Sequence, residues 1–329
     1  MKVLIVTGGG IGDILMTTPM FRALKQHQPA THIAVLLAQS VNTQILEKNQ
    51  HVDEVIDWKP FDGRPFKLAA YLRERKFTHA VHNHSCPRWR YYTIPLISGI
   101  PKRIGFDRRS TGKGLKTALQ KMLLTEHLTY LAKSELRTKM NLNLLQLLGI
   151  RDDDVSYDLH LERSRRNDET QVGIHPGSDG KGSIKRWPAK SFMELAQRIV
   201  FEQGKKVVFY IGPAEKGLLE TIKPEQGIQV KECPTIADLV KDMSQCGSFI
   251  SNDSGVSHIA AALHLPTLVL FGPTQPDEYV LPTKNINLCV TDYDCAICFR
   301  KKECQHCSVT CLQTLSVEKV MVGYTELTN

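Results

Sequence analysis

Short apolar runs alternate with longer amphipathic ones along this 329-residue chain, and the alternation starts twice. In the first half, Lys2 to Thr7 reads as a strand and Asp13 to Gln26 as a helix carrying Leu15, Met16, Met20, Ala23 and Leu24. Strands over His32 to Leu37, Val52 to Asp57 and Thr78 to His82 follow, interleaved with helices over Val41 to Lys48 and Phe66 to Arg75. A further helix over Lys133 to Leu148 ends near Gly149. The rhythm restarts with a strand over Gln171 to His175. Helices over Ala189 to Gln203, Ala214 to Ile222, Ile236 to Met243 and Ser254 to Leu263 then alternate with strands over Lys206 to Ile211, Ile228 to Lys231, Ser248 to Ser251 and Thr267 to Phe271. Strands separated by helical patterns of roughly 10–15 residues form βαβ units around parallel sheets. Between the halves, Glu162 to Thr170 is polar throughout, as a linker is. The pattern predicts an α/β chain of two doubly wound, Rossmann-like domains, 1–162 and 171–329, facing across a cleft. Ligands in such sheets bind at the carboxyl ends of the strands.

Composition removes other classes. At 42% hydrophobic and 23% charged, the chain is neither disordered nor low in complexity. The most apolar window, Ile259 to Phe271, is interrupted by His264 and Pro266, short of the roughly 18 apolar residues of a membrane span. Met1 to Val6 reads as a first strand rather than an export leader, so the protein is expected in the cytoplasm. A net charge of +8 predicts anionic partners and says nothing about fold.

Thr7-Gly8-Gly9-Gly10-Ile11-Gly12-Asp13 follows the first strand and opens a helix. The dinucleotide fingerprint needs glycines at its first, third and sixth positions; counted from Gly8, the sixth is Asp13. The second strand also ends in Leu36-Leu37-Ala38-Gln39, without the acid that holds a ribose. No Gly-x4-Gly-Lys-Ser/Thr occurs anywhere, which removes the phosphate loop. What remains is a tight turn presenting Asp13 at a helix start, either as a cap or as a general base. A helix dipole keeps the carboxylate ionised and available, while partial desolvation would strengthen it.

His175-Pro176-Gly177-Ser178 ends the first strand of the second half, and Lys185-Arg186-Trp187-Pro188 follows. Backbone amides beside a lysine or arginine can hold a diphosphate. Asn252-Asp253-Ser254-Gly255-Val256-Ser257-His258 is another strand end running into a helix, where free amide donors meet two hydroxyls. Each part also has a plainer use: Lys185 and Arg186 as a solvated pair, Asp253 as an N-cap, His258 as a packed histidine. A carboxylate repels a diphosphate, so Asp253 suits the loop or a sugar hydroxyl.

Taken in order, Gly10-x-Gly12-Asp13 through Pro19, Lys185-Arg186-Trp187-Pro188, and Asp253-Ser254-Gly255-x-x-His258 with Phe271-Gly272-Pro273-Thr274 resemble glycosyltransferase family 9, the lipopolysaccharide heptosyltransferases. The similarity spans nearly the whole chain, and the stretch from Asp253 to Thr274 is its most specific part. The resemblance implies the GT-B fold and an inverting transfer of heptose from ADP-heptose to the lipopolysaccharide inner core. By position, it implies that Asp13 deprotonates the acceptor and that Gly10 and Gly12 shape its loop. Ser178 and Lys185 would contact the leaving diphosphate, Glu215 the ribose and Asp253 the sugar. Ser254, Gly255 and Val256 would give amides to the phosphates, with His258 behind them. It further implies an N-terminal acceptor domain, a C-terminal donor domain with the last helix placed back against the first, and no obligatory metal. A family 9 enzyme using another nucleotide sugar and a non-catalytic nucleotide-sugar-binding module are the alternatives. Asp13 argues against the second, because a binder needs no base.

Two segments stand apart. Lys102, Arg103, Arg108, Arg109, Lys113, Lys116 and Lys121 face a single acid, Asp107, between positions 101 and 121. They form either a solvated face or a surface attracting a phosphorylated acceptor at an anionic membrane, where each charge contributes about 1 kcal/mol. No nucleic-acid motif accompanies them. Cys295, Cys298, Cys304 and Cys307, with Cys311, have paired spacings that could hold a structural zinc ion, or remain free thiols, or form a disulfide.

Overall fold

Val3 to Thr7 are all buried, so the first strand has neighbours on both faces as well as both edges. Strands covered on two faces read as unbroken apolar runs and belong to parallel sheets. The computed structural model describes residues 1–37, 40–86, 89–107, 115–129, 135–163, 168–178, 184–281, 283–291 and 311–328, with backbone alone at 40–42, 89–90 and 115–117. These divide into two compact units, residues 1–160 with 277–279, and residues 161–276 with 280–329.

The first unit holds β1 (Lys2–Thr7), β2 (His32–Leu37), β3 (Glu54–Asp57), β4 (His79–His82), β5 (Lys102–Asp107) and β6 (Glu126–Thr129). Their order in the sheet is β3-β2-β1-β4-β5-β6, and every pairing is parallel. The second unit holds β7 (Asp168–His175), β8 (Lys206–Ile211), β9 (Ile228–Glu232), β10 (Cys246–Asn252), β11 (Thr267–Phe271) and β12 (Ile286–Val290), in the order β12-β11-β10-β7-β8-β9. Read from the other edge, this is the same winding. In each sheet the chain reverses direction of travel beside its first strand, between β1 and β4 and between β7 and β10. Crevices for ligands open at such reversal points.

Helices α1 (Ile11–Leu15), α2 (Thr18–His27), α3 (Pro65–Glu74), α4 (Trp89–Ile97), α5 (Leu115–Met122) and α6 (Arg137–Asn143) belong to the first unit. Where the sequence suggests one helix from Asp13 to Gln26, the chain makes two. The Thr17 hydroxyl turns back to the Asp13 carbonyl at 2.6 Å, and Pro19 has no N–H to continue the ladder, which suits only a fresh first turn. The segments expected as helices near Val41 and Ala214 are 3-10 turns, Ser40–Ile45 and Pro213–Glu220. β5 and the start of α5 fall in the basic segment, where the charges mask the strand pattern, and β6 follows as a four-residue edge strand.

The second unit carries α7 (Ala189–Gln203), α8 (Ile236–Met243), α9 (Gly255–Ala262) and α11 (Val317–Thr328), with α10 (Pro276–Tyr279) passing between the two units' residue sets. The last helix is part of the second unit. Val320, Met321 and Tyr324 of α11 are buried in the second unit's own core with Trp187, Phe192 and Leu268. The segment that joins the first unit instead is Asp277–Tyr279, where Glu278 forms a buried ion pair with Arg137 of α6. No helix among the described residues is long and apolar enough to cross a membrane.

Candidate active site

In the first unit the chain leaves β1 through three glycines. Gly9 has φ +93°, the left-handed region that glycine alone enters without strain. Gly8 is required for a different reason. A methyl group there would stand 2.8 Å from Asp13 Oδ2 and 3.0 Å from the Ser85 carbonyl, and one on Gly10 would stand 3.1 Å from the same carboxylate oxygen. The turn is stripped of side chains because the Asp13 carboxylate folds back over it. Asp13 sits in the single turn of α1, with its side chain one-third exposed.

The surroundings of Asp13 are held by groups brought from β4 and α6. Asn83, just beyond β4, donates to Thr7 Oγ1 at 2.7 Å and to Thr17 Oγ1 at 2.8 Å. Ser85 Oγ accepts from the Gly8 amide at 2.9 Å. Asn141 Nδ2 donates to the Met16 carbonyl at 3.0 Å, which assigns its Oδ1 as the acceptor. That oxygen receives the His84 backbone N–H at 2.9 Å and lies 3.1 Å from His84 Nδ1. Nδ1 of His84 therefore carries a proton, and the almost wholly buried ring presents Nε2 to Asp13 Oδ1 at 3.9 Å. Asn83, His84, Ser85 and Asn141 are the residues that reading the sequence overlooks. The run His82-Asn83-His84-Ser85 at a strand end was a signal for three of them, but Asn141 is distant in the chain.

In the second unit the turns after β7 and β10 converge. Ser178 Oγ donates to the Asp253 carbonyl at 2.9 Å. Asn252 accepts from the Trp187 amide at 3.0 Å and donates to the Pro176 carbonyl at 2.9 Å. Trp187 is buried, edge-on to Phe192, with its indole N–H on the Leu315 carbonyl at 2.9 Å. It anchors the adjoining Lys185 and Arg186. Lys185 Nζ lies 2.7 Å from Asp253 Oδ2, with both side chains nearly buried, and Thr274 donates to the same oxygen at 2.7 Å. Lys185 is therefore not a solvated surface residue. Arg186 donates to the Ser178 carbonyl at 2.7 Å and approaches Glu215 Oε1 at 3.5 Å.

Glu215 is also where the chain demands glycines. A methyl group on Gly177 would fall 2.6 Å from its Cγ, and one on Gly212 2.7 Å from its Oε2. His258, in the first turns of α9, is wholly buried. Desolvation pushes its pKa down to about 4, opposed by Asp253 and reinforced by Lys185. It is a neutral imidazole packed behind the Lys185–Asp253 pair. Ser254 caps α9 without a side-chain bond, and among the described residues its buried Oγ has no partner. The Gly255 and Val256 amides have no acceptor within the helix, since both open it. The structure thus gathers Ser178, Lys185, Asp253, Ser254, Gly255, Val256 and His258 around one corner, with Glu215 joined to them through Arg186.

Other expected residues lie elsewhere. Arg103 is engaged with the Leu123 and Ile100 carbonyls, Lys121 with Asp107 at 3.5 Å and Lys102 with Glu126 at 3.9 Å. Arg108, Arg109 and Lys113, and the side chain of Lys116, lie outside the described residues, as do Cys295, Cys298, Cys304 and Cys307. Cys311 is buried at the start of a 3-10 turn, Cys311–Thr314.

The sequence matches glycosyltransferase family 9 (heptosyltransferase) over residues 66–308. The chain belongs to glycosyltransferase family 9. It is a glycosyltransferase with the GT-B fold, and the matched stretch contains the whole second-unit corner, whereas Asp13 precedes it. Among family relatives, it is 28% identical to lipopolysaccharide heptosyltransferase 2 of Escherichia coli over 303 residues, 84% of either chain. The crystal structure of E. coli ADP-heptose lipopolysaccharide heptosyltransferase II superimposes with a TM-score of 0.76 at 22% identity, covering 100% of this chain and 98% of that one. An E. coli heptosyltransferase solved with ADP-2-deoxy-2-fluoro heptose superimposes with a TM-score of 0.74 at 19% identity, covering 99% of each.

Proposed function

We propose that this family 9 enzyme transfers a heptose, with inversion, from ADP-heptose to a Kdo or heptose residue of the lipopolysaccharide inner core. The relative at 28% identity is named a lipopolysaccharide heptosyltransferase, and a structural neighbour was solved with ADP-2-deoxy-2-fluoro heptose. The observation that carries the reading is the pair of unlike crevices: a carboxylate at the β1/β4 reversal and a cation with open amides at the β7/β10 reversal.

In this reading residues 1–162 take the acceptor and residues 171–329 the donor. Asp13 removes the proton from the acceptor hydroxyl as its oxygen attacks the anomeric carbon from the side opposite the diphosphate. His84, behind Asp13, orients the carboxylate. Negative charge then grows on the departing diphosphate, and donors already aimed at it lower the barrier without reorganising. Lys185, the Ser178 hydroxyl, the unpartnered Ser254 hydroxyl and the Gly255 and Val256 amides are those donors. Glu215 accepts from the ribose and Asp253 from the sugar. No metal is required by this assignment, since Lys185 and the start of α9 carry the positive charge. The enzyme would act in the cytoplasm, at the inner face of the membrane where a phosphorylated acceptor is displayed.

The test is ADP release from ADP-heptose with and without heptose-deficient lipopolysaccharide. Release only when both are present is expected. Equal rates with another nucleotide sugar would reassign the donor, and binding without turnover would leave only a ligand-holding protein.

A further inference from the structure

Away from both crevices, His51, Asp158 and His160 of the first unit come together with one donor atom from each within 4.8 Å of the others. His51 lies in the loop before β3. Asp158 and His160 end the segment by which the chain leaves the first unit. The two imidazoles meet edge to face, 5.8 Å between ring centres.

Asp158 is held in place from two sides. Its amide donates to Thr18 Oγ1 at 2.9 Å, and its Oδ1 accepts from Arg22 Nη1 at 2.7 Å. Arg22 is shared with Asp154 at 3.0 Å, so its charge is not spent on Asp158 alone. The other carboxylate oxygen, Oδ2, is buried and without a partner among the described residues, and so is His160 Nε2. Leaving a buried polar atom unpaired costs stability, and here two of them share one cluster. His51 is fixed by its own amide on Asn49 Oδ1 at 2.9 Å. Burial lowers its pKa, with Asp158 opposing and His160, Arg22 and Lys25 assisting, which favours the neutral ring that ligates metal.

We propose that His51, Asp158 and His160 bind a divalent first-row transition cation of the zinc class, stapling the exit of the first unit to the loop before β3. Two imidazoles and a carboxylate are the ligand types such ions select over magnesium or calcium. Metal–ligand bonds of about 2.0–2.2 Å place tetrahedral donors about 3.4 Å apart. Rotations of two already adjacent rings close the remaining gap, and water completes the coordination.

The experiment uses the full chain, stripped with chelator and titrated with Co2+ under reducing conditions, then with Zn2+ in thermal unfolding. Cobalt bound to imidazole and carboxylate shows ligand-field absorption without the sulfur-to-metal charge-transfer band that cysteine ligation gives, which separates this site from any at Cys295 to Cys311. One thiolate-free Co2+ per chain and a Tm raised by several degrees in excess Zn2+ are expected. Both effects should vanish in His51→Gln and in His160→Gln, each of which leaves the Arg22–Asp158 pair intact. Absence of thiolate-free binding in the unaltered protein, or its retention in either variant, overturns the proposal.

Discussion

The turn after β1 and the turn after β7 occupy equivalent places in two sheets of the same winding, yet they are furnished differently. Around Asp13 the support includes neutral amides and a histidine: Asn83 and Asn141 fix hydroxyls and a carbonyl, His84 faces the carboxylate, and the carboxylate keeps a third of its surface. Around Lys185 the support is ionic and shut away, with Asp253, Arg186 and Glu215 in contact. A partly solvated carboxylate can gain and lose a proton with water to compensate the change of charge. A buried cation–anion pair cannot, because removing either charge strands the other. The topology fixes where a site opens, and the charge of the surrounding shell decides what it can do there.

The largest expected effect lies on the first crevice. Asp13→Asn should lower turnover by about 10³-fold or more, the upper range for a lost general base, while ADP-heptose affinity stays near that of the unaltered enzyme. A variant keeping half its activity removes Asp13 from the chemistry. On the second crevice, Lys185→Ala should do what no Asp13 variant does and destabilise the fold by about 3–5 kcal/mol, read in urea unfolding. Equal stability would show that Asp253 finds another partner.

Acid should separate the halves less sharply, since each carries buried histidine whose pKa desolvation lowers, His82 in the first unit and His175 and His258 in the second. Desolvation takes His258 down to about 4 and His82, stacked on Tyr92, down to about 3. From pH 6.5 down to these values the unfolded chain binds a proton that the folded chain refuses. Stability therefore falls as pH drops through that window, by about 3 kcal/mol for His258. His258→Gln should flatten the acid limb of urea midpoints measured between pH 7 and 4, and an unchanged limb would place the sensitivity elsewhere. His84→Ala should lower kcat by about tenfold, a fraction of what loss of the base costs, and shift the kcat–pH profile with donor KM unchanged. A change in KM alone would contradict the orienting role. Smallest of all, Ser254→Ala should raise donor KM by a few fold with no loss of stability, because the hydroxyl it removes has no partner among the described residues.

Much of this was legible in the residues. The strands Lys2–Thr7, His32–Leu37, Lys206–Ile211 and Thr267–Phe271 keep their sequence limits because central parallel strands are apolar end to end. The far side of the first sheet was not: β5 hides among lysines and arginines, and the edge strand β6, Glu126–Thr129, leaves no residue fully buried. The second crevice was readable because its residues cluster in short runs. The first was only half readable. Asp13 announces itself through glycines, but the shell that holds it depends on β4 pairing beside β1 and on Asn141, fifty-seven positions from His84.

The Lys185–Asp253 contact also sets a condition on what may enter. An anion claiming the ammonium draws it from the carboxylate, whose oxygen then keeps the equally close Thr274 hydroxyl, at 2.7 Å. Bare phosphate offers Asp253 nothing in exchange, so its entry strands a charge. A diphosphate joined to a hydroxyl-rich sugar brings both an anion for the lysine and a donor for the aspartate. Admission becomes a trade of partners, and the pocket favours guests that are two-sided over guests that are merely negative.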